Sequence, residues 1–268
     1  AGKCIPGPCS VRITRCDKFA EEAAQRALCI EPHLAAAHGV LGQLRMERDY
    51  DFREAEVHFQ HGLEYDPNDF VCLTMWSQGL CYLHRFDEAA VLAERAYENA
   101  PLTRYAACNL AVVYGLAGKV REAITVLDEY RKFNPQVIDA YARGYIIASR
   151  SGDYSSGIKE LEKGVTYIHP SFFSYMVRLY CLSDAITEAQ AAYRRLIEAS
   201  GNTFVPEYNF ALAESALDMR DEALEHLYTA AENRNTEVLS IGIEPAWAAF
   251  HEDERFKRIK EFVGLEHM

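Results

Sequence analysis

Small residues recur along this chain at a fixed long interval, and between them the apolar positions keep helical spacing. Alanine or glycine stands at 20, 55, 89, 123, 157, 189 and 223, so the successive steps are 35, 34, 34, 34, 32 and 34 residues. Seven residues after each comes a second member of the pattern: Ala27, Gly62, Ala96, Tyr130, Gly164, Leu196 and Ala230. Proline then closes five of the units, at Pro32, Pro67, Pro101, Pro135 and, one residue late, Pro170. Each unit reads as two helices. In the fourth, Ala107, Leu110, Ala111 and Tyr114 share one helical face, and Ala123, Ile124, Leu127 and Tyr130 share another. Gly118 separates them, where a helix end wants a residue that tolerates positive φ. Pro135 closes the second helix, because proline cannot continue one. Ala20, Ala55, Ala89 and Ala123 fall where two helices must approach closely, and a larger side chain would hold them apart. The pattern predicts an all-α solenoid of about six to seven helix–turn–helix units.

The departures from the period set the expected boundaries. Pro6, Gly7 and Pro8 argue against a full first helix, so 1–16 is expected to be an irregular leader, 17–235 the repeat array and 236–268 a C-terminal capping segment. The sixth unit is two residues short, so its first helix, around Phe172–Leu182, is expected to be trimmed or shifted. The second unit carries one extra residue in the turn Asp49-Tyr50-Asp51-Phe52.

Composition narrows the class. The chain has 268 residues, 49% of them hydrophobic, and a net charge of −12. It can therefore bury a sizeable core, and its acidic balance argues against nucleic acid as a partner. No apolar run approaches the roughly 18 residues of a membrane span. Eight cysteines are present, and Cys72, Cys81, Cys108 and Cys181 lie in apolar helical contexts, where a thiol acts as a small hydrophobe. Reduced thiols and no secretory signal at the N-terminus point to the cytoplasm.

The period, the small residues and the endings Asp66-Pro67 and Asn134-Pro135 together resemble the tetratricopeptide repeat, a 34-residue helix–turn–helix unit. The resemblance covers about 17–232 and implies a right-handed superhelix. The tail from Glu244 to Leu265 is similar to a closing segment of bacterial multi-domain regulators, on the strength of Pro245, Trp247, Phe250, Asp253, Arg255, Phe256, Gly264 and Leu265. Solenoids need an atypical terminal unit to cover the last apolar face, and Trp247, Phe250, Phe256, Ile259 and Phe262 are suited to it. The opposite end lacks such a cover. The helix carrying Phe19, Ala20, Ala23, Ala24, Ala27 and Leu28 has no expected partner, and a homodimer through the N-terminal end or an upstream domain would supply one.

Catalytic patterns are absent. There is no glycine-rich phosphate loop, no His-Glu-x-x-His and no Gly-x-Ser-x-Gly. Glu54, His58 and His61 share a helix face at metal-ligand spacing, but that spacing is common on solvated faces, and zinc normally takes more ligands and a second shell. Cys4, Cys9, Cys16 and Cys29 match no zinc-ribbon spacing. No cofactor and no metal are expected. The aromatic residues Tyr82, Phe86, Tyr114 and Tyr154, and Trp76, read as packing between helices rather than as a binding surface.

In the family that the chain resembles, the first helix of each unit lines a concave face. The resemblance places Gln43, Thr74, Gln78, Tyr105, Cys108, Asn109, Val112, Asp139, Arg143, Ile146, Tyr175 and Arg178 on that face as partner-binding candidates. Chaperone-binding members hold a C-terminal carboxylate with two lysines, two asparagines and an arginine. Here Asn109 and Arg143 match, while Thr74 and Asp139 replace the lysines and Gln78 the other asparagine, which argues against a chaperone-tail clamp. The expected function is a non-enzymatic interaction scaffold that binds a peptide or protein segment in the concave groove. The alternative is a sensory or regulatory fragment of a larger bacterial transcription regulator, cyclase or kinase.

Overall fold

In a computed structural model, residues 8–133, 144, 146, 151–167 and 169–266 are described. Seven helices come first: α1 (Pro8–Ile30), α2 (Ala35–Glu47), α3 (Phe52–Tyr65), α4 (Phe70–Tyr82), α5 (Phe86–Asn99), α6 (Arg104–Leu116) and α7 (Val120–Phe133). Beyond residue 150 come α8 (Tyr154–Tyr167), α9 (Phe172–Leu182), α10 (Ile186–Ser200), α11 (Glu207–Ala216) and α12 (Arg220–Glu232). Two 3-10 segments, Thr236–Gly242 and Pro245–Phe250, lead to α13 (Glu254–Phe262). No strand occurs among the described residues. Helices pack in sequence, α2 on α3, α4 on α5, α6 on α7, α9 on α10 and α11 on α12, and first helices also stack on one another, as α2 on α4 and α9 on α11 do. This is the all-α solenoid that the spacing predicts.

Local chemistry explains where the helices begin. Asp51 accepts from the Glu54 N–H at 2.9 Å, Asp69 from the Cys72 N–H at 2.8 Å and Asp253 from the Arg255 N–H at 2.9 Å, each satisfying a donor that a first helical turn leaves unpaired. One residue of positive φ precedes the second helix of each unit from the second to the seventh. These are Tyr50 (59°), His84 (55°), Gly118 (79°), Gly152 (73°), Asp184 (59°) and Asp218 (60°). Only two of the six are glycine, although left-handed backbone costs other residues about 1–2 kcal/mol.

The recurring small residues sit at the helix crossings. Ala55, Ala89, Ala123, Ala189 and Ala223 are all buried, and so are their partners Gly62, Ala96, Tyr130, Leu196 and Ala230. A side chain at Gly62 would collide with the Cys72 sulfur. Trp76 and Phe59 stack between α4 and α3 with ring centroids 5.3 Å apart, as the packing reading expects.

Two features depart from expectation. The first helix begins at Pro8, inside the segment 1–16 expected to be an irregular leader. Proline suits a first helical turn, where its missing N–H has no partner to lose. Among the described side chains of α1, residues 16–30, packing is thin. Ala24 is buried and Ala27 and Leu28 lie against Ala37 and Leu41 of α2, whereas Phe19 is 60% exposed. Glu21 ties α1 down with ion pairs to Arg45 at 2.7 Å and Arg48 at 2.6 Å.

The second departure is at the other end. Trp247, Phe250, Phe256 and Ile259 cover the last unit and are fully buried, as expected of a cap. Phe262, assigned to the same role, is 44% exposed and turns its edge to Tyr50, with ring centroids 6.2 Å apart. The end of α12, the residues after it and the tail also reach back to the second and third units. Tyr50 donates its hydroxyl to the Ala231 carbonyl at 3.3 Å, and the Arg234 guanidinium lies 4.5 Å above the Tyr50 ring. His84 Nε2 meets the Gly242 carbonyl at 3.1 Å. Gly264, at φ 75°, presses against the Tyr50 carbonyl so closely that any Cβ would strike it. One apolar core therefore runs from Met46 through α7 and on to Leu265, closing the array on itself.

Three substitutions test this packing by chemical denaturation. Gly118 faces open space, so Gly118→Ala should lose about 1 kcal/mol from φ alone. Gly264→Ala should lose more than Gly118→Ala, because it adds a collision at the closure. Ala123→Leu should lose about 1–3 kcal/mol by overpacking a helix crossing. Three unchanged denaturation midpoints would contradict these assignments.

Candidate binding groove

First helices carry a repeated polar stitch. Asn109 of α6 donates to the Ser77 hydroxyl of α4 at 2.7 Å, and Asn209 of α11 donates to the Ser174 hydroxyl of α9 at 3.0 Å. These bonds lock the rotation between successive units and leave the neighbouring side chains facing a common hollow. That hollow is a pocket of about 460 Å³ on the face formed by the first helices. Its walls are Gln78 and Tyr82 of α4, Tyr105, Asn109, Val112 and Leu116 of α6, Phe172 and Tyr175 of α9, and Tyr208 of α11. The fourth side is the chain's own tail, through Glu237, Ser240, Ile243 and Glu244.

The expected groove residues divide by placement. Gln78, Tyr105, Cys108, Asn109, Val112 and Tyr175 line the pocket together. Gln78 donates to the Tyr82 hydroxyl at 2.7 Å, and Tyr105 bonds back to the Met75 sulfur at 3.7 Å. Gln43 of α2 lies outside the lining and donates to Glu47 at 3.1 Å. Thr74 and Ile146 are buried and do not face the pocket. The Thr74 hydroxyl folds back onto the Phe70 carbonyl at 2.7 Å, and Ile146 packs against Gly115. Asp139 and Arg143 lie outside the described residues.

Arg178 differs most from its expected setting. It is buried and forms an ion pair with the equally buried Glu244 at 2.7 Å. This candidate for the partner-binding face is thus already held by the tail. Tyr208 shares a 2.7 Å hydrogen bond with Ser240 and receives the Trp247 indole N–H at 3.4 Å. The tail's wall was missed in the sequence because it belongs to the capping segment, although Glu237, Ser240 and Ile243 stand three residues apart, the period at which 3-10 side chains eclipse.

Two further carboxylates, Glu47 of α2 and Glu237 of the tail, feel each other's charge. Burial pushes the Glu47 carboxyl up to about 7, against the hydrogen bond from Gln43 and with the negative field of Glu237 and Asp17 adding to the rise. Its field also reaches the Tyr82 and Tyr105 hydroxyls, both raised chiefly by burial. Among the described residues neither Glu47 nor Glu237 forms an ion pair.

Two histidine groups have the residue types of chemistry. His58 turns its Nδ1 toward His38 Nδ1 at 3.3 Å, while Glu54 sits 3.9 Å from Arg45. Glu54, His58 and His61 do not converge, and among the described residues no three His, Cys, Asp or Glu side chains gather as a metal site. On α12, His226 Nδ1 meets the buried Glu214 at 2.7 Å and its Nε2 lies 3.7 Å from Glu207. Tyr193 donates to the other Glu214 oxygen at 2.6 Å. Both ring nitrogens are engaged by carboxylates, so the imidazole is poised to hold charge rather than to take a proton from a substrate.

A crystal structure of a tetratricopeptide repeat protein from Parabacteroides merdae superposes on the chain with a TM-score of 0.61, at 15% identity, over 92% of this chain and 91% of that one. The chain has the tetratricopeptide-repeat fold. No protein-family model matches the sequence, and no curated protein matches it. In this fold the pocket lies on the side formed by the first helices, with the closing tail as one wall.

The His226 pair gives a pH signature. The hydrogen bond that His226 donates to Glu214 raises the His226 pKa above its ordinary value, against the effect of burial. A raised folded-state pKa means that the stabilisation is fully present below about pH 6.5, the unfolded value, and is lost as pH rises through the folded one. The stability difference between the parent chain and His226→Gln should therefore be larger at pH 6 than at pH 9. A difference independent of pH would show that His226 carries no extra charge in the folded state.

Proposed function

We propose that the chain is a non-enzymatic interaction scaffold that binds a segment of a protein or peptide partner in its first-helix groove. The pocket that Tyr105, Val112, Tyr175 and the tail enclose is the observation that carries this reading. It combines apolar walls with a few polar groups, the usual make-up of a recognition site. The engagement of His226 by two carboxylates, and a sequence without nucleophile motifs, support a binding role over catalysis. No helix among the described residues is long and apolar enough to cross a membrane. Burial pushes the Cys81 thiol up to about 12 and Cys72 well above its ordinary value, so both act as inert packing groups, in keeping with a cytoplasmic protein.

The test compares capture of partners by the parent chain, by Val112→Arg in the groove and by Val91→Arg on exposed α5. Proteins retained by the parent and by Val91→Arg but lost with Val112→Arg are expected. Equal retention by all three would place binding outside the groove.

A further inference from the structure

We infer that the seam between the first unit and α3 is an acid-sensitive latch. The facing rings of His38 and His58 hold it shut while one of them is uncharged, and it opens, with the rest of the array still folded, when both are charged. Four of the chain's nine histidines gather at this seam. His38 of α2 is buried, and the rings of His58 and His61 of α3 each lie 5.6 Å from its own, centroid to centroid. His33, in the turn before α2, and His38 both lie against the Tyr65 ring, at 4.4 and 5.8 Å. The closest approach is between the Nδ1 atoms of His38 and His58, at 3.3 Å. A hydrogen bond there needs one nitrogen with a hydrogen and one with a bare lone pair. One charged ring still satisfies it. Two charged rings put a hydrogen on both nitrogens and two positive charges side by side, so attraction becomes repulsion.

The surroundings favour uncharged rings. Burial lowers the His38 pKa from its ordinary value, and His61 and His33 add to the fall against a hydrogen bond to the Pro32 carbonyl. Burial also lowers that of His58, with His38, Arg45 and His61 acting in the same sense and Glu54 opposing. Helix α4 packs on α2 but carries no charged residue, and Asp69 at its start caps the Cys72 N–H. An opened seam returns both imidazoles to water and to a pKa of about 6.5. The open form then binds protons that the closed form refuses, so opening increases as pH falls below that value. His226 has the opposite sign, because acid strengthens its bond to Glu214. On α1, Glu21 is held low by its hydrogen bonds to Arg48 and Arg45, so these bridges persist over the same range. Glu47, pushed up to about 7 by burial, takes its proton in the closed form and opposes opening.

The seam is lightly built. The main apolar core begins at Met46, and before it Ala24, Ala37 and Leu41 form a small cluster of their own. Helix α2 meets Cys72 and Phe59 through Gly39 and Gly42, which bury no side chain. Cys72 reports on this contact, because its thiol is fully buried and donates to the Ala35 carbonyl of α2 at 3.5 Å.

Alkylation of the full chain with N-ethylmaleimide, read cysteine by cysteine by mass spectrometry, tests the latch. From about pH 7.5 to about pH 5.8, labelling of Cys72 relative to exposed Cys29 should rise about fivefold or more, the gain from one imidazole that titrates normally only when the seam is open. Cys81, buried in the main core, should stay protected at both values. In His58→Gln the rise should be at least about twofold smaller, since the second charge is gone while Glu47 and the ion pairs of α1 are unchanged. Protection of Cys72 at both values, exposure of Cys72 and Cys81 together, or an equal rise in parent and variant would each overturn the latch. Should His58→Gln stand open at both values, NMR titration of the parent's imidazoles decides. His38 and His58 titrating below the ordinary value keep the latch, and both titrating at that value overturn it.

Discussion

Two helices can approach only as closely as the side chains at their crossing permit, and this chain sets that limit with alanine and glycine. Ala55, Ala89, Ala123, Ala189 and Ala223 are all buried at such crossings. Because they recur with nearly the same period, each unit repeats the tilt of the one before it. The small rotation between units accumulates into curvature. Every later feature follows from that curvature: a common face for the first helices, a hollow along that face, and a tail brought back within reach of the second unit. A bulky residue at one crossing would change an angle that all the following units inherit.

The tail does two jobs with one segment. Trp247 and Phe256 stack with ring centroids 5.9 Å apart and cover the apolar end of the last unit. The preceding 3-10 segments enter the hollow and complete its wall. The Arg178–Glu244 pair joins these roles. It fixes the tail against α9, and it neutralises Glu244, one of the carboxylates of the pocket's wall. A buried pair of this kind stabilises little in net terms, since desolvation offsets most of the attraction, but it fixes a unique arrangement, because either charge alone would be costly.

Much of the array was legible in the sequence because packing writes itself locally. The period, the crossings and the trimmed helix Phe172–Leu182 depend on residues close together in the chain, and the structure places them as the spacing predicts. The turn at Asp49-Tyr50-Asp51-Phe52 was legible as a turn and Gly118 as a positive-φ position, whereas the left-handed backbone of Tyr50, His84, Asp184 and Asp218 carries no such mark in the sequence. The groove was half legible. Helical periodicity brought Gln78, Tyr105, Asn109 and Val112 to one face, but it could not tell that the Thr74 hydroxyl would turn inward to its own backbone. Nor could it reveal the Arg178–Glu244 pair, which exists only after the rotations of several units have added together. Pro8 illustrates the opposite error: a residue read as a helix breaker is acceptable at a helix start.

The contact from Tyr50 to Ala231 joins positions 181 apart. An open solenoid touches only its nearest neighbours, so its ends can fray independently and its units can melt one after another. Here fraying of the tail exposes the second unit as well, so the loss of either end weakens the other. Forming the link, by contrast, requires a large loop to close, and its entropic cost is met only after the intervening units have taken shape. Assembly can spread from neighbour to neighbour, whereas disassembly must first undo the clasp.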